Sequence, residues 1–119
     1  MDKIVLKEFA TNLKKVKYKN VLHSLTLEYN TDQAEPYIYL GLIKIKPSQQ
    51  NKGYGSSVMS DILKLADNEQ LEVRLYATNI YGADLRRLFA FYRKHGFTLI
   101  HNNKDGNFIY RPKKRQRFL

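Results

Sequence analysis

Pro47-Ser48-Gln49-Gln50-Asn51-Lys52-Gly53-Tyr54-Gly55-Ser56-Ser57 decides how the rest of the chain is read. An apolar run from Ile38 to Ile45 feeds this polar, glycine-bearing turn, and a helix-period stretch from Ser56 to Asn68 leaves it. That succession predicts a strand, a loop of phosphate size and a helix N-terminus. Glycine lets the backbone approach a ligand without a Cβ in the way, and the first N–H groups of a helix carry about half a positive charge toward whatever sits there. An anion is the natural occupant. The spacing excludes two familiar nucleotide loops. Val58 stands where Gly-x-Gly-x-x-Gly needs its third glycine, and no Gly-Lys-Ser/Thr closes a P-loop. What remains is Gln50-x-x-Gly53-x-Gly55, which alone is equally compatible with a tight turn that binds nothing.

Upstream of Pro36 the pattern is strand-rich. Lys3 to Phe9 reads as a short strand through Ile4, Val5 and Leu6, and Ala10 to Lys15 as at most a brief helical turn. Val21, His23, Leu25, Leu27 and Tyr29 alternate with Leu22, Ser24, Thr26 and Glu28, the period of a half-buried strand. Tyr37 to Lys46 is apolar enough for a central strand covered on both faces.

Downstream, Val58, Met59, Ile62, Leu65 and Ala66 form one helical stripe, and Glu72 to Ala77 reads as a second inner strand. A strand, a crossover helix and a strand of this length predict a parallel pair. Thr78 to Ala83 reads as a loop, and Asp84 can cap a helix over Leu85 to His95, stopped by Gly96. Phe97 to His101 and Asn107 to Arg111 then predict a hairpin turning at Asp105-Gly106.

The chain has 119 residues, a net charge of +10 and no cysteine. One core and one domain are expected over residues 1–112, with 113–119 a basic, flexible tail. Without cysteine there is no disulfide, no thiolate metal site and no cysteine nucleophile. His23, His95 and His101 lack metal-ligand spacing, so no metal is expected. No apolar stretch is long enough to span a membrane and the N-terminus lacks a signal-peptide layout, so a soluble, cytoplasmic protein is expected. From Val73 onward eleven Lys and Arg face only Asp84 and Asp105, so +9 of the charge lies there, against ten basic and nine acidic residues in the first 72. With Tyr76, Tyr81, Phe89, Tyr92, Phe108 and Tyr110 interleaved, that third keeps open a second class, a basic nucleic-acid-binding module using phosphate contacts and stacking.

Taken together, an apolar strand, Gln50-x-x-Gly53-x-Gly55, an amphipathic helix, a strand and a helix ending in Phe91-Tyr92-Arg93-Lys94-His95-Gly96-Phe97 resemble the GNAT family of N-acetyltransferases over about Tyr37 to Pro112. The resemblance implies an α/β fold: a mixed, mostly antiparallel sheet, splayed central parallel strands and two main helices, with the family's N-terminal helices shortened or absent. It implies acetyl-coenzyme A as cosubstrate, its pyrophosphate held by Gln50, Asn51, Lys52, Gly53, Tyr54, Gly55 and Ser56, and its pantetheine arm paired with Ile43, Lys44 and Ile45. Tyr92 takes the place of the tyrosine near the thioester sulfur, where a phenol with a pKa of about 10 can protonate a leaving thiolate. It also continues the stripe Leu85, Leu88 and Phe89, so a packed core aromatic is its other reading.

A backbone N–H at Ile45 or a neighbour would hold the developing oxyanion. The base stays open between Glu28 and a water near Tyr37 and Tyr39, because Ile38 to Lys46 contains no carboxylate. Asn79 lies upstream of the family's usual asparagine position. The compact build is similar to short phage- or mobile-element-encoded members. A short N-terminal region leaves the acceptor side open, which suits a lysine or N-terminal amine of a protein better than a small amine. A monomer or a homodimer, and a relative that binds acetyl-coenzyme A without turning it over, both fit the same residues.

Overall fold

The computed structural model describes residues 1–32, 34–77, 84–100 and 106–114. Chain order is α1 (Lys3–Asn12) running into a wider helical turn (Leu13–Lys17), β1 (Leu22–Asn30), β2 (Tyr37–Ile45), a 3₁₀ turn (Pro47–Gln49), α2 (Tyr54–Glu69), β3 (Glu72–Ala77), α3 (Leu85–Lys94), β4 (Thr98–Leu99) and β5 (Gly106–Tyr110). The five strands form one sheet in the order β1-β2-β3-β5-β4. β2 and β3 run parallel, and every other neighbouring pair is antiparallel. The mixed, mostly antiparallel sheet matches the expected class.

Register shows which face the helices take. Val73 stands beside Tyr110 and Leu75 beside Phe108. The Phe108 ring meets Phe89 and Tyr92 of α3 at 5.0 and 5.6 Å, and the Tyr110 hydroxyl donates to Asp67 of α2 at 2.8 Å. Ile38, Val58, Met59, Ile62 and Val73 are fully enclosed between this face and α2. Leu6 and Leu13 bring α1 into the same core. Tyr18 then pins the N-terminal segment to α2: its hydroxyl donates to Asp61 at 2.6 Å and lies 2.7 Å from the Ser57 hydroxyl, which donates to it.

The structure corrects the sequence reading at two places in the first third. Lys3 to Phe9 is helix, not strand, so three helices rather than two pack on the sheet. The Asp2 carboxylate accepts from the Val5 N–H at 2.9 Å, capping the helix, and burial of Leu6 rewards a 3.6-residue period that the Ile4-Val5-Leu6 triplet conceals. The alternation of β1 also slips. Leu22 pairs with Ile45 and Ser24 with Lys44, so two residues of β1 oppose one of β2. That bulge buries Leu22 and exposes His23, the reverse of strict alternation.

Three expectations fall on residues outside the described set: the loop Thr78 to Ala83 with Asn79 and Tyr81, the turn up to Asp105, and the tail beyond Lys114. Lys113 itself is tied down, its N–H donating to Asp67 and its carbonyl accepting from Gln70.

Candidate functional site

A second irregularity shapes the site. Thr26 pairs with Leu42 and Leu27 with Leu40, which leaves Gly41 as the extra residue on β2. The parallel pairing of β2 with β3 runs from Tyr37 beside Glu72 only to Leu40 beside Leu75. Beyond it, β2 continues to Ile45 along β1, while Tyr76 and Ala77 continue along β5. The two central strands therefore part at the bulge. Ile43, Lys44 and Ile45 lie on the arm of β2 that no longer pairs with β3.

The loop at the end of that arm is built from left-handed turns. Asn51 has φ 63° and Gly53 φ 84°, with Gly53 as the N-cap of α2. A Cβ at Gly53 would meet nothing within 4 Å, so glycine answers there to conformation rather than to space. No side chain caps α2, and its first turn holds no carboxylate. The N–H groups of Tyr54, Gly55 and Ser56 are thus presented at an uncapped helix start, with Lys46 and Lys52 on the flanking loop. A Cβ at Gly55 would only touch the Phe91 ring at 3.8 Å, so the fold itself would accept a side chain there. The exposed Gln50 turns back on the strand, its amide donating to the Ile45 carbonyl at 3.3 Å and fastening the loop to the end of β2. Left-handed turns, uncapped donors and two cations form a donor set suited to a pyrophosphate.

α3 closes on this helix start. The His95 Nε2 lies 3.2 Å from the Ser56 hydroxyl, and its ring meets Phe91 edge-on at 4.8 Å. Burial, with Lys94 adding to it, lowers the His95 imidazole below its ordinary value. Read from the sequence as an ordinary side chain, His95 proves to be the residue that joins the two helices. The four-residue step from Phe91 to His95 was the available signal, since it puts both on one side of α3. Tyr92 is half-buried among Phe91, Phe97 and Phe108, and burial raises its hydroxyl above the usual tyrosine value. The aromatics of the basic third are therefore largely spent on the core: Phe89, Tyr92, Phe108 and Tyr110 pack there, and Tyr76 is the exposed one among those described.

On the sheet face away from α2 and α3, Tyr37, Tyr39, Arg74, Ile100 and Asn107 line a cleft of about 320 Å³. Arg74 stacks over the Tyr37 ring at 4.2 Å and pairs with Glu72 at 3.0 Å. Among the described residues no carboxylate lines this cleft. Glu28 stands beside Tyr39 in the register but lines a groove along β1 instead. Among the described residues no group of three or more His, Asp or Glu could hold a metal ion, and no helix is long and apolar enough to cross a membrane.

A crossover unit whose strands part beside an uncapped helix N-terminus defines an α/β protein built for a phosphate-bearing cosubstrate. The chain belongs to the GNAT acetyltransferase family, whose sequence model matches residues 21–97, and its cosubstrate is acetyl-coenzyme A. No curated protein matches it in sequence. Among solved structures it is similar to a chain of the AtaT–AtaR complex bound to DNA, with a TM-score of 0.59 and 16% identity over 83% of this chain and 72% of that one. It is also similar to a chain of AtaTR bound with acetyl-coenzyme A, with a TM-score of 0.53 and 18% identity over 73% of this chain and 55% of that one. At such identities the likeness shows the fold.

Proposed function

We propose that the protein is an N-acetyltransferase that passes an acetyl group directly to an amine of a protein, a lysine or an N-terminus. The observation that carries this reading is the parting of β2 and β3 beside the uncapped start of α2. It frees the backbone of Ile43, Lys44 and Ile45 on the side of β2 that faces away from β1, next to the anion-ready loop. Acetyl-coenzyme A supplies the acetyl group as a thioester. In this reading Gln50, Asn51, Lys52, Gly53, Tyr54, Gly55 and Ser56 bind its pyrophosphate, and Ile43, Lys44 and Ile45 pair with its pantetheine arm. Backbone N–H groups near Ile45 hold the oxygen of the reacting carbonyl.

The amine nitrogen forms a bond to the carbonyl carbon as the carbon–sulfur bond breaks. The amine proton leaves through water near Tyr37 and Tyr39, since among the described residues no carboxylate lines the cleft, and Tyr92 protonates the sulfur. A lysine amine of pKa about 10.4 must first lose a proton, at roughly 4 to 5 kcal/mol at pH 7. An open, aromatic-lined cleft suits an amine carried on a macromolecule, which brings its own binding energy from outside the site.

Calorimetric titration with acetyl-coenzyme A tests the first half of this reading, beside a variant carrying Gly53→Glu and Gly55→Glu. Micromolar binding by the wild type, abolished in the variant, is expected. Mass spectrometry of protein and peptide amines incubated with enzyme and acetyl-coenzyme A tests the second half. Absence of any 42 Da addition, which is roughly what N-acetylation adds in place of a proton, alongside intact cosubstrate binding, would sink the transferase reading.

A further inference from the structure

β1 forms one edge of the sheet, and among the described residues no strand pairs with its outer side. Nine residues of open edge are long for a natural sheet, which ordinarily covers or blunts such strands. A groove of about 660 Å³ runs along this edge. Its floor is the five consecutive residues Leu25 to Tyr29, and consecutive residues of a strand can line one groove only when it follows the strand's margin. The opposite wall is one stripe of α1 and its continuing turn, from which Lys3, Lys7, Lys14 and Lys15 line the groove. Among the described residues none of these four lysines is in an ion pair, whereas their neighbour Lys17 is held by Asp61 at 2.8 Å. Among the described residues Glu28 is the single carboxylate on the groove.

We propose that this groove binds an extended, carboxylate-bearing peptide segment, which adds to the sheet as a strand along β1 and sets its acidic side chains against the lysines of α1. The dimensions agree. Five strand residues span about 17 Å, and the helical stripe from Lys3 to Lys15 about 18 Å. Alternate side chains of an extended segment are about 6.8 Å apart, close to the rise of about 6 Å between Lys3 and Lys7. The edge N–H and C=O groups supply affinity, and charge supplies selection. A second copy of the chain is the poorer occupant. Pairing β1 with its own copy would draw the lysine-bearing helices of both molecules together. The proposal stands apart from acetyl transfer, because strand and charges alone define the site.

Fluorescence anisotropy of labelled Glu-Val-Glu-Val-Glu-Val-Glu titrated with the full chain tests it. A Lys-Val-Lys-Val-Lys-Val-Lys peptide and two acidic peptides N-methylated on every second amide, at the Glu or at the Val positions, serve as comparisons. The acidic peptide should bind at least about tenfold tighter than the basic one, and the K7E/K14E variant should lose roughly that factor. Those exposed positions lie on α1 and the helical turn that continues it, and the substitutions should leave the circular dichroism and the acetyl-coenzyme A affinity unchanged. One methylated isomer should lose binding while the other keeps it, and amides of residues 22–30 should gain protection from hydrogen exchange. Equal binding of the two isomers would show charge attraction without strand addition. Absence of acidic-peptide binding, or a sedimentation profile showing β1 occupied by a second copy, would overturn the proposal as well.

Discussion

His95 Nε2 lies 3.2 Å from the hydroxyl of Ser56, so the end of α3 is fastened to the first turn of α2. Ser56 offers its N–H at the uncapped helix start while its side chain is engaged by α3. The bond therefore couples the position of Tyr92, three residues before His95, to the geometry of the loop. His95→Ala should weaken acetyl-coenzyme A binding about threefold to tenfold and lower stability by about 1 kcal/mol, the net worth of one such bond. Calorimetry and thermal unfolding would check the two effects. His95 titrates below the ordinary 6.5, mainly through burial, so its neutral form is favoured by the fold. That contribution is complete above pH 6.5 and is lost as pH falls through the lower, folded value. The melting temperature of the wild type should fall on acidification below neutrality, and His95→Gln should flatten that fall.

Gly53 and Gly55 should separate stability from binding. Gly53 has φ 84°, where an added Cβ costs about 1 to 2 kcal/mol, although nothing lies within 4 Å of it. Gly53→Ala should therefore lower the midpoint of urea unfolding. Gly55 faces only ordinary contact with Phe91, so Gly55→Ala should unfold near the wild-type midpoint. Binding should respond at Gly55 as well, since the proposed site needs the backbone of the loop to come close to the pyrophosphate. A large fall in stability for Gly55→Ala would place the glycine requirement in the fold rather than in the ligand.

Gly106 answers to a close approach of strands. It stands beside Ala77 in the register, and a Cβ there would lie 2.4 Å from the Ala77 carbonyl oxygen. β3 and β5 would have to separate where β3 has already lost β2. Gly106→Ala should destabilise by about 3 kcal/mol, at the upper end for overpacking, read by chemical denaturation. A change below about 1 kcal/mol would mean that the strands part there easily.

How much of this was legible in the sequence depended on whether local pattern and tertiary packing agreed. The stripe Val58, Met59, Ile62, Ala66 is helical in any context, and the helix formed within two residues of its expected start and one of its expected end. Asp84 capped α3 as expected, accepting from the Arg86 N–H at 2.9 Å. Ile4-Val5-Leu6 misled because three apolar neighbours carry no period, and helix won through the Asp2 cap and the burial of Leu6 and Leu13. The bulges at His23 and Gly41 were hidden for a different reason. A bulge is a relation between two strands, and neither strand's own alternation records it. The loop from Gln50 to Ser56 was legible by its spacing, whereas its link to His95 joins segments far apart in sequence and was not.

Asp61 should set the acid limit of the N-terminal segment. Burial alone would push its carboxyl up, but hydrogen bonds from Lys17 and Tyr18 outweigh this and hold it below the ordinary 3.8. A depressed carboxylate stabilises the fold above pH 3.8, and that contribution is lost as pH falls through the lower, folded value. Asp61→Asn should cost about 1 to 2 kcal/mol at pH 7, mostly through the bond to the buried Tyr18 hydroxyl. The difference between variant and wild type should shrink toward pH 3, and fluorescence-detected urea unfolding at both pH values would measure it. A difference unchanged at pH 3 would show that the carboxylate charge plays no part.

Tyr92 brings the two readings of its position into one test. Its ring contacts with Phe91, Phe97 and Phe108 are unaffected by removing the hydroxyl, so Tyr92→Phe should leave the fold and the cosubstrate affinity within error of the wild type. If the hydroxyl protonates the leaving thiolate, kcat should fall on the order of a hundredfold, the lower range for a positioned general acid. The pH profile adds a second readout. Burial raises the Tyr92 hydroxyl above 10.0, so the acid stays largely protonated up to about pH 10, while the neutral share of a lysine acceptor is already growing. Activity of the wild type should therefore climb with pH up to about 10 as the amine, with its pKa near 10.4, deprotonates, with no falling limb from Tyr92 below that. A variant with unchanged kcat would return Tyr92 to the aromatic core and leave protonation of the sulfur to water.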